Sequence, residues 1–504
     1  MPAPTYKNNQ ETEHMDIRAS ANGAGPAAAG TSGAHPPGGG AIDPNDAYAQ
    51  EVAARLDRLP YSRTARHFVL LISIGAIFEL YDLFMTAYIA PGLVKSGLFA
   101  SSSLHFFGLS GVGFFVFCTF AGMFVGTIGF GFVADRVGRR SIFTVSLVWY
   151  SLATLIMAFQ HTAGAIDLFR FIASIGLGLE QVTIDTFIPE LVPPTARGRA
   201  FAFYQFIEFL IVPVVALLGW LLVPRQPFGL DGWRWVAIIA SAGALAAWWL
   251  RRRLPESPRW LALHGFRDRA EKIMRDIEAS VERDTGRPLP PPPAPKSVQA
   301  QTTGRFSELL RPPYRKRLIV MSVFNLLAVI GFYGFSAWVP TLLIAKGVAI
   351  TTSLQYAFII AIINPFGPLL GLLVADRMEP KWQIVCAGTG IGIFMLFFAL
   401  QVNPVAVIAF GILVTLSNNW LSFIFHSYQA EQFPTRLRAR AVGFVYAWGR
   451  ASAAIVGLLI GFFLHVGGTP GVAFFMGVAM VLMILVIAIF GPRTLRRPLE
   501  EISR

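Results

Sequence analysis

Two carboxylates three residues apart, Glu79 and Asp82, stand inside an apolar run that begins near Phe68 (FELYDLFMTAYIAPGL, 78–93). On a helix that spacing puts both on one face. A charge deep in hydrocarbon is costly, so it faces a partner or an aqueous cavity. Burial raises a carboxyl pKa and a nearby guanidinium lowers it, so the chemistry open to such a group is taking up and releasing a proton. Later apolar runs carry Arg170, Glu180 and Asp185, then Gln205 and Glu208. Farther on come Asn325, Tyr333, Asn364, Asn418, Asn419, His426 and Arg450. Ionisable groups are denser in the first half, which points to proton chemistry there.

The elements that position these residues must be membrane spans. Of 504 residues, 54% are hydrophobic and only 14% charged, whereas a soluble domain is about a quarter charged. Apolar segments long enough to cross roughly 30 Å of hydrocarbon recur along the chain. They fall near 66–91, 104–133, 142–160, 164–191, 200–223 and 234–250, then 318–344, 352–375, 382–401, 404–430, 441–465 and 470–491. That is an all-α integral membrane fold with twelve spans, grouped six and six. The runs are too long and too uniformly apolar for the alternating strands of a β-barrel.

The formal charge of +13 does not mark a nucleic-acid partner, because its distribution is topological. Arginine and lysine gather in alternate loops: Arg136, Arg139 and Arg140; Arg197 and Arg199; the 251–317 segment; Arg377 and Lys381; Arg436, Arg438 and Arg440; and the C-terminal tail. Under the positive-inside rule both termini and the central loop are cytoplasmic. Residues 1–63, rich in Gly, Ala and Pro, read as a disordered cytoplasmic tail. There follow a six-helix bundle over 64–250, a linker over 251–317 with a stiff polyproline piece (PLPPPPAP, 288–295), a second bundle over 318–491 and a tail over 492–504. Cys118 and Cys386 both lie inside spans and supply neither a disulfide framework nor a metal spacing.

VADR occurs at 133–136 and again at 374–377, an offset of 241. The same offset relates Gly126 to Gly367, Glu190 to Glu431, Pro193 to Pro434, Arg197 to Arg438 and Arg199 to Arg440. The chain is therefore two parallel copies of one six-helix unit, and such repeats place a binding site between the copies near the bilayer midplane.

GFVADRVGRR (131–140) resembles the loop between helices 2 and 3 of the major facilitator superfamily. PELVPPTARGR (189–199), GWRW (232–235) and PESPRWL (255–261) resemble motifs of its sugar-porter and metabolite-porter branches, and EQFPTRLRAR (431–440) is the second-half echo. The resemblance spans roughly residues 65–490 and implies alternating access. It implies gating by Asp135, Arg139 and Arg140, by their echo Asp376 and Arg377, and by pairs of Glu190 with Arg197, Glu431 with Arg438 and Glu256 with Arg259. The other reading is that the loop arginines only fix topology, exposed pairs being worth about 0–1 kcal/mol.

Arg170 ahead of IGLGL (175–179) is similar to the fourth helix of proton-coupled sugar porters, where the arginine partners a first-helix aspartate. The match is Asp82, with Glu79 or Glu180 assisting; the alternative is a permanent ion pair that only fixes packing. Gln205, seven residues after Gly198, matches a sugar-contacting glutamine. The paired glutamines of the seventh helix are absent from FNLLAVIGFYGF (324–335), however, and His426 replaces a tryptophan of the tenth. Arg450 is a candidate for a substrate carboxylate, with Tyr333, Asn418, His426 and Glu208 in the same polar set, or else a counter-ion to Glu208 or Glu180.

The expected function is proton-coupled symport of a small polar metabolite, an organic anion, across the cytoplasmic membrane. Alternatives are a sugar or polyol, efflux of an amphipathic compound, or a receptor on a transporter fold. No phosphate loop, metal cluster or nucleophile–base pair suggests an enzyme. The expected energy source is the proton gradient with no cofactor. The expected partners are a small-molecule substrate and the lipid bilayer, without nucleic acid, for a monomeric chain.

Overall fold

The computed structural model describes residues 44–99, 111–192, 197–251, 254–292, 306–375, 377–433 and 435–493. Asp376, and the side chains of Asp135, Asp185, Glu190 and Arg438, lie outside the described residues. The elements are helical throughout: α1 (Pro44–Asp57), α2 (Arg63–Lys95), α3 (Val112–Val137), α4 (Arg139–Ala158), α5 (Ala163–Leu191), α6 (Arg197–Phe209), α7 (Ile211–Leu222), α8 (Gly232–Arg251) and α9 (Pro258–Leu263). They continue as α10 (Arg267–Thr285), α11 (Phe306–Leu309), α12 (Tyr314–Ser336), α13 (Val339–Ala345), α14 (Ile350–Ala361), α15 (Phe366–Ala375), α16 (Pro380–Leu400), α17 (Pro404–Glu431) and α18 (Thr435–Phe490).

Nine segments among the described residues are long and apolar enough to cross a membrane. The last of these is two spans, because Gly468 adopts φ 60°, a left-handed conformation open to glycine, just before Pro470. Two more spans escape a hydropathy criterion for physical reasons: α5 carries Asp167, Arg170 and Glu180, and α8 carries Arg234 and four tryptophans. Twelve spans result among the described residues. Three of them are broken where the chain calls for it, α6 from α7 ahead of Pro213, α12 from α13 ahead of Pro340, and α14 from α15 at Pro365.

Side-chain caps fix where several spans start. The Ser62 hydroxyl accepts from the Ala65 amide at 3.3 Å, and the Thr162 hydroxyl from the Ala165 amide at 3.3 Å. The apolar faces of the spans then merge into one continuous core across both halves. Close approach of α3 and α5 depends on glycine: a Cβ at Gly126 would strike the Ile175 carbonyl, and one at Gly178 the Met123 carbonyl. The repeat carries this contact into the second half with different chemistry. Positions 364 and 419, which match 123 and 178, are both asparagine, and Asn419 Nδ2 donates to the Asn364 carbonyl at 3.2 Å and to its Oδ1 at 3.0 Å. The halves meet through α3 with α18 and α7 with α14. At the first seam Gly113 lies against Gly457 and Gly461; at the second, Trp220 stacks on Phe358 at 5.8 Å.

The expected disordered tail is corrected over its last stretch. Residues 44–57 form α1, which packs on α9 and α10 from the 251–317 segment through Val52, Leu56, Trp260, Leu261, Met274 and Ile277. Apolar residues at i, i+3 and i+7 (Ala49, Val52, Leu56) are too few to signal a helix in so polar a context. Ion pairs complete the joint: Arg55 to Glu271 at 2.6 Å and to Glu278 at 2.7 Å, and Arg58 to Glu278 at 2.6 Å. The hydrogen bond from Arg55 holds the Glu271 carboxyl below its usual range against a smaller opposing effect of burial. Burial pushes Glu278 up, but the bonds from Arg55 and Arg58 outweigh it and leave that carboxyl lowered as well. Asp284 at the end of α10 accepts from the Thr64 amide at 2.6 Å and the Thr64 hydroxyl at 2.7 Å, tying α10 to the start of α2.

Candidate functional site

Asp82 and Arg170 meet at the centre of the first half. Arg170 Nη1 lies 2.8 Å from Asp82 Oδ2, the two side chains being 0% and 1% exposed. Every nitrogen of the guanidinium is used: Nη2 donates to the Asp82 carbonyl at 2.9 Å and to the Thr86 hydroxyl at 2.8 Å, and Nε to the Thr119 hydroxyl at 3.0 Å. The second carboxylate oxygen accepts from the Thr154 hydroxyl at 3.0 Å. One ion pair thus ties α2 to α5, with α3 and α4 supplying hydroxyls. Such a pair is held by its geometry, and loss of either partner leaves a buried charge uncompensated. Glu79 and Glu180 are buried as well, on α2 and α5.

A second polar centre lies in the other half. Helices α12, α17 and α18 enclose a cavity of about 80 Å³, lined by Asn325, Tyr333, Asn418, His426, Tyr446 and Arg450 among apolar walls of Ala328, Val329, Phe332, Leu421 and Phe425. Arg450 Nη1 donates to the Tyr333 hydroxyl at 3.3 Å, and its guanidinium sits 5.1 Å from the Tyr446 ring centre. Arg450 also donates to Gln181 of α5 and so bridges the halves. Glu79 is one acid whose charge acts on it. Among the described residues Arg450 Nε has no hydrogen-bond partner, and neither has either amide atom of the buried Asn418. A buried amide with four unmet hydrogen bonds is costly to leave so, and marks a place where a ligand or water belongs.

The remaining candidates divide. Tyr333, Asn418, His426 and Arg450 gather at the cavity; Gln205, half-buried on α6, and Glu208, buried on α6, do not line it. His426 Nδ1 donates to the Ser422 carbonyl at 2.9 Å and its Nε2 pairs with the Tyr446 hydroxyl at 3.2 Å, so it is bonded in place as well as exposed to the cavity. Arg139 and Arg140 open α4 and are half-buried. Glu256 Oε1 accepts from the Arg140 amide at 3.1 Å, not from Arg259, which is exposed. Arg197 faces Asp57 of α1 at 3.6 Å. Arg377 is exposed, Glu431 is half-buried at the end of α17, and Asp135, Glu190, Asp376 and Arg438 lie outside the described side chains.

Sequence reasoning missed Thr86, Thr119, Thr154, Gln181 and Tyr446. Threonines in apolar helices usually bond their own backbone, as Thr119 Oγ1 also does to the Phe115 carbonyl at 3.0 Å. Their type alone therefore carries no signal. Gln181 adjoins Glu180 in the sequence and could have been found as its neighbour.

Twelve spans around two buried polar centres define a multi-pass membrane transporter of the major facilitator fold. The chain belongs to the sugar (and other) transporter family, whose model matches residues 68–504. It is 31% identical over 446 residues to the putative metabolite transport protein YyaJ of Bacillus subtilis, covering 88% of this chain and 95% of that one. To the niacin transporter NiaP of Acinetobacter baylyi it is 25% identical over 454 residues, 90% and 100% of the two chains. The inward-open xylose transporter XylE of Escherichia coli superposes with a TM-score of 0.69 at 19% identity, over 87% of this chain and 99% of that one, which shows the shared fold. These similarities make the chain a transporter rather than an enzyme.

Proposed function

We propose that the chain imports a small organic anion by proton-coupled symport and alternating access across a bacterial cytoplasmic membrane, with both termini on the cytoplasmic side. The observation that carries this is Arg450, a buried cation whose Nε has no hydrogen-bond partner among the described residues, on the same cavity as the unmet amide of Asn418 and with aromatic and aliphatic walls around them. A carboxylate supplies the missing acceptors, and a small apolar body fills the rest. The relative that transports niacin, a ring bearing a carboxylate, is in keeping with that. Asp82 is the coupling carboxylate in this reading: a proton on it would remove the charge by which α2 is tied to Arg170 of α5.

A sugar or polyol is the second reading, favoured by Asn325, Asn418 and His426 as hydrogen-bonding groups on one cavity. Thermal unfolding of the purified protein against small carboxylates, sugars and polyols separates the two. A ligand present at a hundred times its dissociation constant adds about 2.7 kcal/mol if it binds only the folded state. The expected result is a rise in melting temperature with a monocarboxylate in wild type and none in Arg450→Ala. A response to sugars alone, retained in Arg450→Ala, would overturn the anion reading. Asp82→Asn is expected to keep substrate exchange while losing accumulation against a gradient, measured in vesicles.

A further inference from the structure

Asp167 is an acid that the pair above leaves unused. It is 3% exposed, on the first turns of α5, and its Oδ1 has no hydrogen-bond partner among the described residues. It also makes no ion pair among them. Burial with no partner on Oδ1 disfavours an ionised carboxylate in that setting. Its place is specific. Arg170 follows three residues later, on the same face of α5. Asp167 sits one turn nearer the end of the helix away from the basic loops, between that end and the Asp82–Arg170 pair.

The charged and titratable groups around it are few. Cys118 on α3 lies near both Asp167 and Arg170. From α2 come Asp82, which reaches this region through Arg170, with Glu79, Tyr81 and Tyr88 on the same helix. Helix α4 brings Tyr150 and neutral hydroxyls, and α6 brings Tyr204 and Glu208, both farther along α5. At the end of α8, Arg234 is occupied by the Gln160 carbonyl at 2.8 Å and by Asp231 at 3.7 Å. One permanent cation, Arg170, therefore has two candidate anions, and it uses one of them.

We infer that Asp167 and Asp82 exchange as the counter-ion of Arg170, sharing a single proton. In one state the proton is on Asp167, and Asp82, paired with Arg170 as in the geometry found here, is the anion. In the other, the O–H bond of Asp167 breaks, one forms on Asp82, and the Asp167 carboxylate turns to Arg170. The guanidinium is never left without an anion, while the tie from α5 to α2 is released. Asp167 can then be reprotonated from the end of the molecule it adjoins.

The test is infrared spectroscopy of the full-length protein in lipid at neutral pH. Wild type should show the carbonyl stretch of a protonated carboxylic acid that Asp167→Asn lacks. That component should also vanish in Asp82→Asn, because Asp167 must then ionise to neutralise Arg170. Its persistence in Asp82→Asn would overturn the exchange, as would its absence from wild type. Should Asp82→Asn fail to fold, Arg170→Gln decides: with the cation gone both acids stay protonated and the band grows, whereas an unchanged band overturns the proposal. The inference rests on the proton-coupled reading, but the spectra require no transport. Failure of that reading would show separately, as substrate movement with no pH change inside dye-loaded vesicles.

Discussion

The two halves share one register and use it for opposite ends. At the position where the first half has Arg170 bonded to Thr119, the offset of 241 places Gly411 under Ile360 in the second. Where the first half lets two helix backbones touch at Met123 and Gly178, the second inserts the hydrogen-bonded pair Asn364 and Asn419. Polar chemistry is thus central and sealed in the first half, where all three guanidinium nitrogens of Arg170 are taken. In the second half it lines a cavity, and Arg450 keeps one nitrogen open. A duplicated scaffold can divide labour in this way because the helix packing depends on backbone approach, which glycine or a short amide can each provide. The lesson is that one copy holds a sealed ion pair and the other holds space.

The largest effect that would test this contrast is loss of the sealed pair. Arg170→Leu leaves Asp82 buried without its counter-ion and its hydrogen bonds, and about 3–5 kcal/mol of stability should go with the lost pair. Arg450→Leu should cost far less, because that side chain has fewer bonds to lose. Thermal unfolding in detergent compares the two, and equal losses would break the contrast.

Next come the matched helix crossings. Gly178→Ala drives a Cβ into the Met123 carbonyl and should cost about 1–3 kcal/mol. Asn419→Ala removes hydrogen bonds without overlap and should cost about 1 kcal/mol. The order of the two melting temperatures is the readout; the reverse order would mean that the second-half crossing is the tighter.

The smallest effect belongs to the joint of α1 with α10. Glu271 and Glu278 are held below their ordinary range. Their contribution is therefore complete above the unfolded value of about 4.3 and is lost as pH falls through the lowered folded values. Protection of residues 44–57 against hydrogen exchange, taken relative to the unfolded chain at the same pH, should stay constant from neutral pH down to that point and be lost below it, as faster exchange than the unfolded rate alone accounts for. Glu278→Gln should bring the faster exchange up to neutral pH, at a cost of less than about 1 kcal/mol.

Much of the membrane architecture was legible because it is local in the chain. Apolar runs of sufficient length, proline and glycine at their breaks and a fixed register between two loops are all properties of neighbouring residues. Asp82 with Arg170 was legible too, through a motif and a scarcity of other buried charges. Helix α1 was not, since its burial depends on a face of α10 more than two hundred residues away. The pairing of Glu256 with the Arg140 amide was also hidden, because a backbone donor leaves no trace in residue type.

The sequence by itself determined how many times the chain crosses the membrane, which loops carry its charge and which buried residues can ionise. Only the tertiary structure decided that Gln181 reaches Arg450 across 269 positions, that three threonines saturate one ion pair, and that Asn418 is left with its hydrogen bonds unmet. The reason is physical: insertion into a bilayer is a property of each segment and its hydropathy. Satisfaction of a buried polar atom depends on which side chains of other segments come within about 3 Å, and that is fixed only when the helices pack.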